Sequence, residues 1–363
     1  MKRRLSGAEN TFAGLSKRQN RASPAIVTTS ITPIVFHRDA IIEDSKDFLR
    51  HLDQEGFAVV QCINAVRVAE LKAMLFTSLH TSFGVDQQDP TTFAGACYND
   101  RGVISNGYSG ISHCKAVYEM RREALPVFQA IYGPDVPLFC SFDGVVFRPS
   151  KAASGQRSLN GAPWLHVDVD LNRSTAATQQ SILLTSAFML FASTPGTGGT
   201  CLVRGSHKEP RKYLGEAALA QKGIAFTPSQ AKTNTAVQAA LQANPPVHIS
   251  CPAGCIILFR ADTVHANTPP IIAEALSEPL LRLGCFVSFS PASHGHLQNT
   301  RRLRDNAINK HLTTSLYTFS ESGKSNFPFK ARHPFGGPSF GTREVPNCSL
   351  DAATVKADYG DFV

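Results

Sequence analysis

The sequence of 363 residues contains no long uninterrupted run of apolar residues. No run approaches the roughly 18 residues that an apolar helix needs to cross a bilayer, so the sequence predicts no membrane anchor. Charged residues are also sparse, at 18% of the chain, whereas apolar residues make up 42%. This balance argues against an intrinsically disordered protein and is typical of a globular one. No internal repeat is visible.

Closely spaced cysteine pairs are scarce as well. The nine cysteines are scattered, and the one close pair is Cys251 and Cys255, separated by Pro-Ala-Gly. A zinc knuckle usually has a two-residue gap and a matching second pair, so we interpret this segment as a β-turn between strands. Scattered cysteines among apolar residues favour reduced thiols, and therefore an intracellular location, cytoplasmic or nuclear.

Acidic residues are nearly missing from the start of the chain. The first 21 residues contain Glu9 alone against six basic residues, which are Lys2, Arg3, Arg4, Lys17, Arg18 and Arg21. With the Ser/Thr/Pro-rich segment that follows, this composition predicts a disordered basic leader and linker over residues 1–38. The basic clusters resemble a bipartite nuclear signal, and a transit peptide is the competing interpretation.

Helical periodicity dominates the part that follows, which we expect to open a domain spanning residues 39–325. Apolar residues at helical spacing predict helices over 45–55, 65–83 and 115–132, the last broken at Pro126. These helices make 45–132 a helical N-terminal part. The polar and alanine-rich residues 208–245 read as an insertion with short surface helices, and residues 326–363 as a C-terminal tail.

Short apolar segments separated by turn residues fill the rest of the domain. We predict strands within 57–60, 138–149, 181–192, 247–250, 255–259 and 280–290. Many short strands with helices mainly at the start favour an all-β core with flanking helices, namely a double-stranded β-helix, the jelly roll of cupin-like proteins.

A His-x-Asp motif within this region suggests a metal site. In an extended strand, side chains two residues apart point to the same face, so His166 and Asp168 can bind one metal side by side. His265, which follows a short apolar strand, is the expected third ligand. Two histidines and one carboxylate leave the opposite coordination positions open, which is the arrangement of non-haem Fe(II) oxygenases.

Further features follow the motif in a fixed order. They are Thr197-Gly198-Gly199, then Gly205-Ser206-His207-Lys208, then Pro252-Ala253-Gly254, then His265, and then Arg282 within an apolar strand. This succession resembles the phytanoyl-CoA dioxygenase-like family of Fe(II)/2-oxoglutarate-dependent oxygenases over roughly residues 45 to 320.

The resemblance implies an enzyme that uses Fe(II), 2-oxoglutarate and O2 to hydroxylate or oxidatively demethylate an organic small molecule, with release of succinate and CO2. His166, Asp168 and His265 would hold the iron. Arg282 would bind the far carboxylate of 2-oxoglutarate, with Gln180 and Ser181 close to the cosubstrate. Cys255 and Asn267 depart from residues that the family usually has.

Two other functions remain open. The first is a non-catalytic jelly-roll binding protein with a structural metal site. The second is a nucleic-acid-modifying oxygenase, suggested by the basic leader and by a basic helix containing Arg301, Arg302, Arg304 and Lys310. That helix also has a simpler interpretation, a solvated face covering the sheet. We expect His207 to be structural or at the rim of the site, and His294 and His296 to lie in a surface loop.

Overall fold

The computed structural model describes residues 29–96, 98, 102–104, 110–154, 165–169, 171, 184–215, 225–226, 234–270, 278–294, 297–313 and 348–360. The predictions for residues 1–28, Gln180, Ser181 and His296 fall outside these residues.

Helices flank a core of two sheets. They are α1 (Arg38–Glu43), α2 (Lys46–Glu55), α3 (Ala65–Phe83), α4 (Lys115–Tyr132), α5 (Pro210–Leu214), α6 (Thr235–Ala243), α7 (Leu297–Asn309) and α8 (Ala352–Tyr359). The three N-terminal helices that periodicity predicted are confirmed as α2, α3 and α4. The expected break at Pro126 is wrong: α4 continues through it, and Val127 and Phe128 just beyond are fully buried. We infer that this packing compensates for the hydrogen bond that proline cannot make.

The ends of these helices follow from local chemistry. Gly56 ends α2 and Gly84 ends α3, both in the left-handed conformation with φ of 78° and 69°, which glycine adopts without steric cost. At the start of α3, the side chain of Asn64 accepts a hydrogen bond from the backbone N–H of Arg67.

Fifteen strands were identified in the described residues. They are β1 (Thr29–Ile31), β2 (Val35–His37), β3 (Phe57–Gln61), β4 (Val103–Ile104), β5 (Leu138–Cys140), β6 (Val145–Pro149), β7 (His166–Val167), β8 (Leu184–Met189), β9 (Gly199–Leu202), β10 (Ala225–Phe226), β11 (Val247–Ile249), β12 (Cys255–Arg260), β13 (His265–Thr268), β14 (Leu280–Val287) and β15 (Phe289–Pro291). One sheet has the order β2-β3-β12-β8-β14-β6-β4, and the other β1-β11-β9-β13-β7-β10. The short strands β5 and β15 pair separately.

The chain moves repeatedly between the two sheets. Strands β6, β8, β12 and β14 lie in the seven-stranded sheet, whereas β7, β9, β11 and β13 lie in the six-stranded one. Apolar side chains of both sheets form one cluster, which includes Val59, Ala187, Leu202, Ile249 and Ile257, so the sheets pack face to face. A larger cluster on the outer side of the seven-stranded sheet includes buried residues of α3 and α4.

Two segments correct the sequence-based boundaries. Residues 29–37, interpreted as part of a linker, contain β1 and β2, which pair in parallel with β11 and β3. Both strands cover backbone edges that would otherwise be open. The segment 326–363, interpreted as a tail, contains α8, whose Val355 and Tyr359 are buried in the main cluster.

Among the described helices, none has both the length and the apolar content needed to cross a bilayer.

Candidate metal centre

The two histidines predicted as ligands lie on adjacent strands of the six-stranded sheet. His166 on β7 and His265 on β13 are directly opposite one another in an antiparallel pair, and their ring centroids are 4.2 Å apart. Side chains that are directly opposite project from the same face of a sheet. Leu202, which pairs with His265 from the other side, belongs to the cluster between the sheets. The two imidazoles therefore face the interior between the sheets.

Asp168 joins them from the residues just after β7. Its Oδ1 lies 3.4 Å from Nε2 of His166, and its Oδ2 lies 3.4 Å from Nε2 of His265. A backbone hydrogen bond of 2.7 Å from Asp168 N to Ala261 O fixes this position. The three side chains offer one ligand atom each, all within 4.8 Å of one another, and the residues are only 5–7% exposed.

The protonation states in this cluster suit a metal. Burial opposes ionisation of Asp168, but the imidazoles of His265 and His166 outweigh it and lower the pKa of the carboxyl. Nδ1 of His265 lies 2.8 Å from the carbonyl oxygen of Thr263. A proton on Nδ1, donated to that oxygen, leaves the lone pair of Nε2 available for a metal. The donor set therefore fits a divalent cation that accepts nitrogen and carboxylate oxygen.

Arg282 lies on the facing sheet with unused hydrogen-bonding capacity. It is 2% exposed, and among the described residues it has one long hydrogen bond of 3.4 Å, from Nη1 to Oδ1 of Asn267. Within the described part of the chain, its Nε and Nη2 have no hydrogen-bond partner. A buried hydrogen-bond donor without a partner destabilises the folded protein. The guanidinium group of Arg282 can therefore bind an additional hydrogen-bond acceptor.

A second arginine adds to the positive charge at this point. Arg148 on β6 is the cross-strand partner of Arg282 on β14, and it is 5% exposed. Burial and the charge of Arg148 both lower the pKa of Arg282 well below its usual range. Like charges directly opposite destabilise a sheet, and an anion between them would relieve that repulsion.

The arginines and the metal ligands share one interior space. On β14, Leu283 and Cys285 pack towards the helices, so Arg282 points to the other face, towards the six-stranded sheet. Its contact Asn267 lies two residues after His265 on the same strand, and hence on the same face. Two residues of a strand span about 6.6 Å, so the guanidinium group of Arg282 lies in the same interior space as the three candidate metal ligands, close enough for a small molecule to contact both.

The remaining predicted residues have separate roles or lie elsewhere. Gln180 and Ser181 are outside the described residues. His207 has Nε2 at 2.8 Å from the carbonyl oxygen of Asp53, a structural contact. In α7, the expected solvated basic face is wrong for Arg304, which is 2% exposed and donates from Nη1 to Cys140 O at 2.6 Å. Arg301 and Arg302 are exposed as expected.

The contact of Asn267 with Arg282 and the position of Arg148 opposite Arg282 were not predicted. The alternation in β6 places Val145 and Phe147 in the outer cluster, and this period-2 pattern was a signal that Arg148 would face inward. The strand pairing that sets Arg148 against Arg282 has no counterpart in the local sequence.

Comparison with known proteins gives structural similarity without a sequence match. Neither a family model nor a curated protein matches the chain, so the phytanoyl-CoA dioxygenase-like resemblance stays a prediction. The solved structures similar to this chain include the non-heme alpha ketoglutarate dependent carbocyclase SnoK from nogalamycin biosynthesis. The identity is 15%, the match covers 69% of this chain and 86% of SnoK, and the TM-score is 0.45. Another is the epimerase SnoN from the same biosynthesis, at 16% identity over 70% of this chain and 84% of SnoN, with a TM-score of 0.44. A third is HygX from Streptomyces hygroscopicus with nickel and 2-oxoglutarate bound, at 14% identity over 68% of this chain and 86% of HygX, with a TM-score of 0.39. At such identities the reactions and substrates of those proteins do not transfer to this chain.

Proposed function

We propose that this protein is an Fe(II)- and 2-oxoglutarate-dependent dioxygenase that hydroxylates or oxidatively demethylates an organic small molecule. The observation that carries the proposal is the convergence of His166, Asp168 and His265, with ligand atoms within 4.8 Å of one another. We further propose that the two facing sheets form a double-stranded β-helix, because the chain alternates between them in the way described above.

The donor set favours iron over a purely structural ion. Imidazole together with carboxylate suits Fe(II), whereas structural zinc sites are usually closed by four ligands with cysteine among them. Within the described residues, no fourth histidine, cysteine or acidic residue joins the three. Three protein ligands leave room for small molecules on the metal. When bound, iron and 2-oxoglutarate supply the oxidising chemistry, in which O2 is consumed and succinate and CO2 are released.

Asp168 and His265 prepare the site for the cation. The low pKa of Asp168 keeps this carboxylate charged at neutral pH, so that it offsets one of the two positive charges of the metal. Thr263 O accepts the proton of Nδ1 and thereby orients the ring of His265. The ring of Phe259 packs 4.4 Å from that of His265 and shields it from water.

Arg282 gives the site its cosubstrate specificity in this proposal. A carboxylate can accept two parallel hydrogen bonds from the edge of a guanidinium group, and Nε and Nη2 of Arg282 form such an edge. Arg148 lies opposite and adds positive charge without being required to contact the ligand. A 2-oxo acid with a second carboxylate would thus have its reactive end at the metal ligands and its far end at Arg282.

The test is a comparison of metal content and succinate formation in two matched variants. We expect His166→Ala to lose bound Fe(II) and to form no succinate from 2-oxoglutarate, because one of three ligands is gone. Asp262→Asn is the control. Asp262 stands three residues before His265, forms an ion pair of 2.9 Å with Arg260, and is not one of the three clustered ligands. This variant should retain iron and turnover.

Two results would contradict the proposal. A wild-type protein that binds neither iron nor 2-oxoglutarate would remove its basis. A protein that binds a metal but neither binds nor turns over 2-oxoglutarate would instead favour a jelly-roll binding protein with a structural ion.

A further inference from the structure

The guanidinium group of Arg121 has no place in the proposed reaction. Arg121 lies on α4 and is fully buried, and its Cζ lies 5.0 Å from the ring centroid of Tyr118 and 5.5 Å from that of Phe142. Both aromatic residues belong to the cluster on the outer side of the seven-stranded sheet. The candidate metal ligands face the space between the sheets, so the sheet separates Arg121 from them.

One side of this guanidinium group is fixed, and the other has no acceptor. Nη1 donates to the carbonyl oxygen of Ser112 at 2.8 Å, in the short 3-10 helix Ile111–His113 that precedes α4. Nε and Nη2 are buried and have no hydrogen-bond partner among the described residues. These two nitrogens form the edge from which a guanidinium group donates two parallel hydrogen bonds. The contact with Ser112 therefore orients an edge that can bind a further acceptor.

The carboxylates nearest to Arg121 in sequence are used elsewhere. Glu119 and Glu123, the two acidic residues of α4, both form ion pairs with Arg67 of α3. Asp143 accepts a hydrogen bond of 2.6 Å from the backbone N–H of Gly144. In the described part of the chain, Arg121 has the carbonyl oxygen of Ser112 as its one acceptor and forms no ion pair. A buried charge of this kind is costly unless a counter-charge accompanies it.

A second buried arginine adds positive charge at the same place. Arg304 of α7 is 2% exposed, and its Cζ lies 4.4 Å from the ring centroid of Phe142, the ring that Arg121 also approaches. Its Nη1 donates to the carbonyl oxygen of Cys140, a neutral acceptor. Burial and, to a lesser extent, the charge of Arg121 lower the pKa of Arg304. Two guanidinium groups on different helices therefore share one aromatic ring and repel one another.

Two other polar side chains at this ring are neutral. The ring centroid of His113 lies 4.7 Å from that of Phe142, and burial together with the charge of Arg121 lowers the pKa of His113 to about 3. The neutral imidazole donates from Nε2 to the carbonyl oxygen of Leu312 at 3.0 Å, and Nδ1 accepts from the hydroxyl of Tyr118 at 2.8 Å. Burial raises the pKa of Tyr118, so this hydroxyl keeps its proton. Neither side chain offsets the charge of the arginines.

We propose that the edge of Arg121 formed by Nε and Nη2 is a binding site for a small monovalent inorganic anion of the halide class, such as chloride. An anion there accepts from both nitrogens and offsets positive charge contributed by Arg121 and Arg304. A halide suits the site better than sulfate or phosphate, because the cost of removing an ion from water rises steeply with its charge and Arg121 is fully buried. The bound anion would stabilise the packing of α4 and α7 around Phe142.

The first experiment measures thermal unfolding of the full-length, metal-free protein in mixtures of sodium bromide and sodium gluconate at constant ionic strength. We expect Tm to rise with bromide along a saturating curve, by about 3–6 °C at about ten times the dissociation constant. Arg121→Met should abolish this rise, because it removes both donors and the charge. Arg122→Met is the matched control, since Arg122 is the next residue of α4 but is exposed, and this variant should retain the response.

A second experiment does not depend on the folding of any variant. In crystals of the wild-type protein grown in sodium bromide, we expect an anomalous bromine peak within hydrogen-bonding distance of Nε and Nη2 of Arg121. The proposal is overturned by a water molecule without anomalous signal at that edge, or by a response of Tm to bromide that persists in Arg121→Met. Neither metal nor 2-oxoglutarate is present in these experiments, so their outcome is independent of the proposed oxygenase activity.

Discussion

Replacement of Arg282 by methionine should stabilise the ligand-free protein and remove its response to 2-oxoglutarate. Methionine is a long, flexible side chain that can fill much of the space of arginine without polar atoms. In the ligand-free protein, two nitrogens of Arg282 are buried without a partner in the described structure, and Arg148 lies opposite. The substitution removes both sources of instability.

The magnitude follows from the cost of unpaired donors. A buried polar group without a hydrogen bond costs about 1–3 kcal/mol, and two such groups lie on Arg282. The long contact with Asn267 offsets about 1 kcal/mol at most. We expect the free energy of unfolding to rise by roughly 1–5 kcal/mol, which raises Tm by about 2–20 °C at about 2–4 °C per kcal/mol.

The effect on ligand binding has the opposite sign. Hydrogen bonds to a charged group contribute about 1.5–3 kcal/mol each, so loss of two should weaken binding of 2-oxoglutarate by roughly 100-fold or more. Thermal unfolding is measured with and without 2-oxoglutarate, using a redox-inert divalent metal in place of iron. The wild-type protein should be stabilised by the ligand by mass action, and the Arg282→Met protein should not.

Arg304→Met provides the matched control. Arg304 is equally buried, but its Nη1 donates to Cys140 O at 2.6 Å, and its guanidinium lies 4.4 Å from the centroid of the Phe142 ring. Loss of satisfied contacts should lower the free energy of unfolding by about 2–4 kcal/mol. Arg282 does not bind the cosubstrate if Arg282→Met destabilises the protein as Arg304→Met does and leaves its affinity for 2-oxoglutarate unchanged.

Two further predictions concern the protein without ligands. Burial lowers the pKa of His248 in the folded protein to about 4, whereas the pKa of a histidine in the unfolded chain is about 6.5. As the pH falls, the imidazole is therefore protonated first in the unfolded state, and the folded state loses stability from about pH 6.5 down to about pH 4. Urea unfolding should show a contribution of about 2 kcal/mol from this residue between pH 7 and 5, and His248→Asn should reduce the pH dependence by that amount; an unchanged slope would contradict the assignment. Gly284→Ala should destabilise the protein by about 1–3 kcal/mol in the same assay, because an added Cβ would collide with the carbonyl oxygen of Phe188 on the neighbouring strand. Gly95→Ala, whose Cβ would meet its closest atom at 3.4 Å, is the control; equal losses in the two variants would show that the close approach of β8 and β14 is not the cause.

The sequence was informative wherever a pattern is local. Helical periodicity predicted helices over 45–55 and 65–83, and α2 and α3 end within these bounds, next to Gly56 and Gly84. The strands β1 and β2 were missed because they pair with distant segments, β11 and β3, and their own composition resembles a linker. Arg304 was misassigned for a related reason, since its burial depends on an acceptor, Cys140 O, that is remote in sequence.

In the candidate site, too, features that depend on local sequence were predicted, whereas those that depend on pairing between distant strands were not. The spacing of His166 and Asp168 predicted their proximity, and the order of motifs indicated His265 and Arg282. The position of Arg148 opposite Arg282 could not be predicted because it depends on the register between β6 and β14, which shifts at an irregularity between Leu280 and Arg282. A one-residue change of register would turn a side chain to the other face, and no local pattern specifies such a shift.

The most direct test is anaerobic addition of Fe(II) and 2-oxoglutarate to the metal-free protein, followed by visible absorption. If His166, Asp168 and His265 hold the metal and Arg282 holds the far carboxylate, a weak charge-transfer band should appear only when both are present, with one iron bound per chain. The band should be missing in His166→Ala and present in Asp262→Asn. Iron binding with no spectral change on addition of 2-oxoglutarate, or an unaltered band in His166→Ala, would contradict the account.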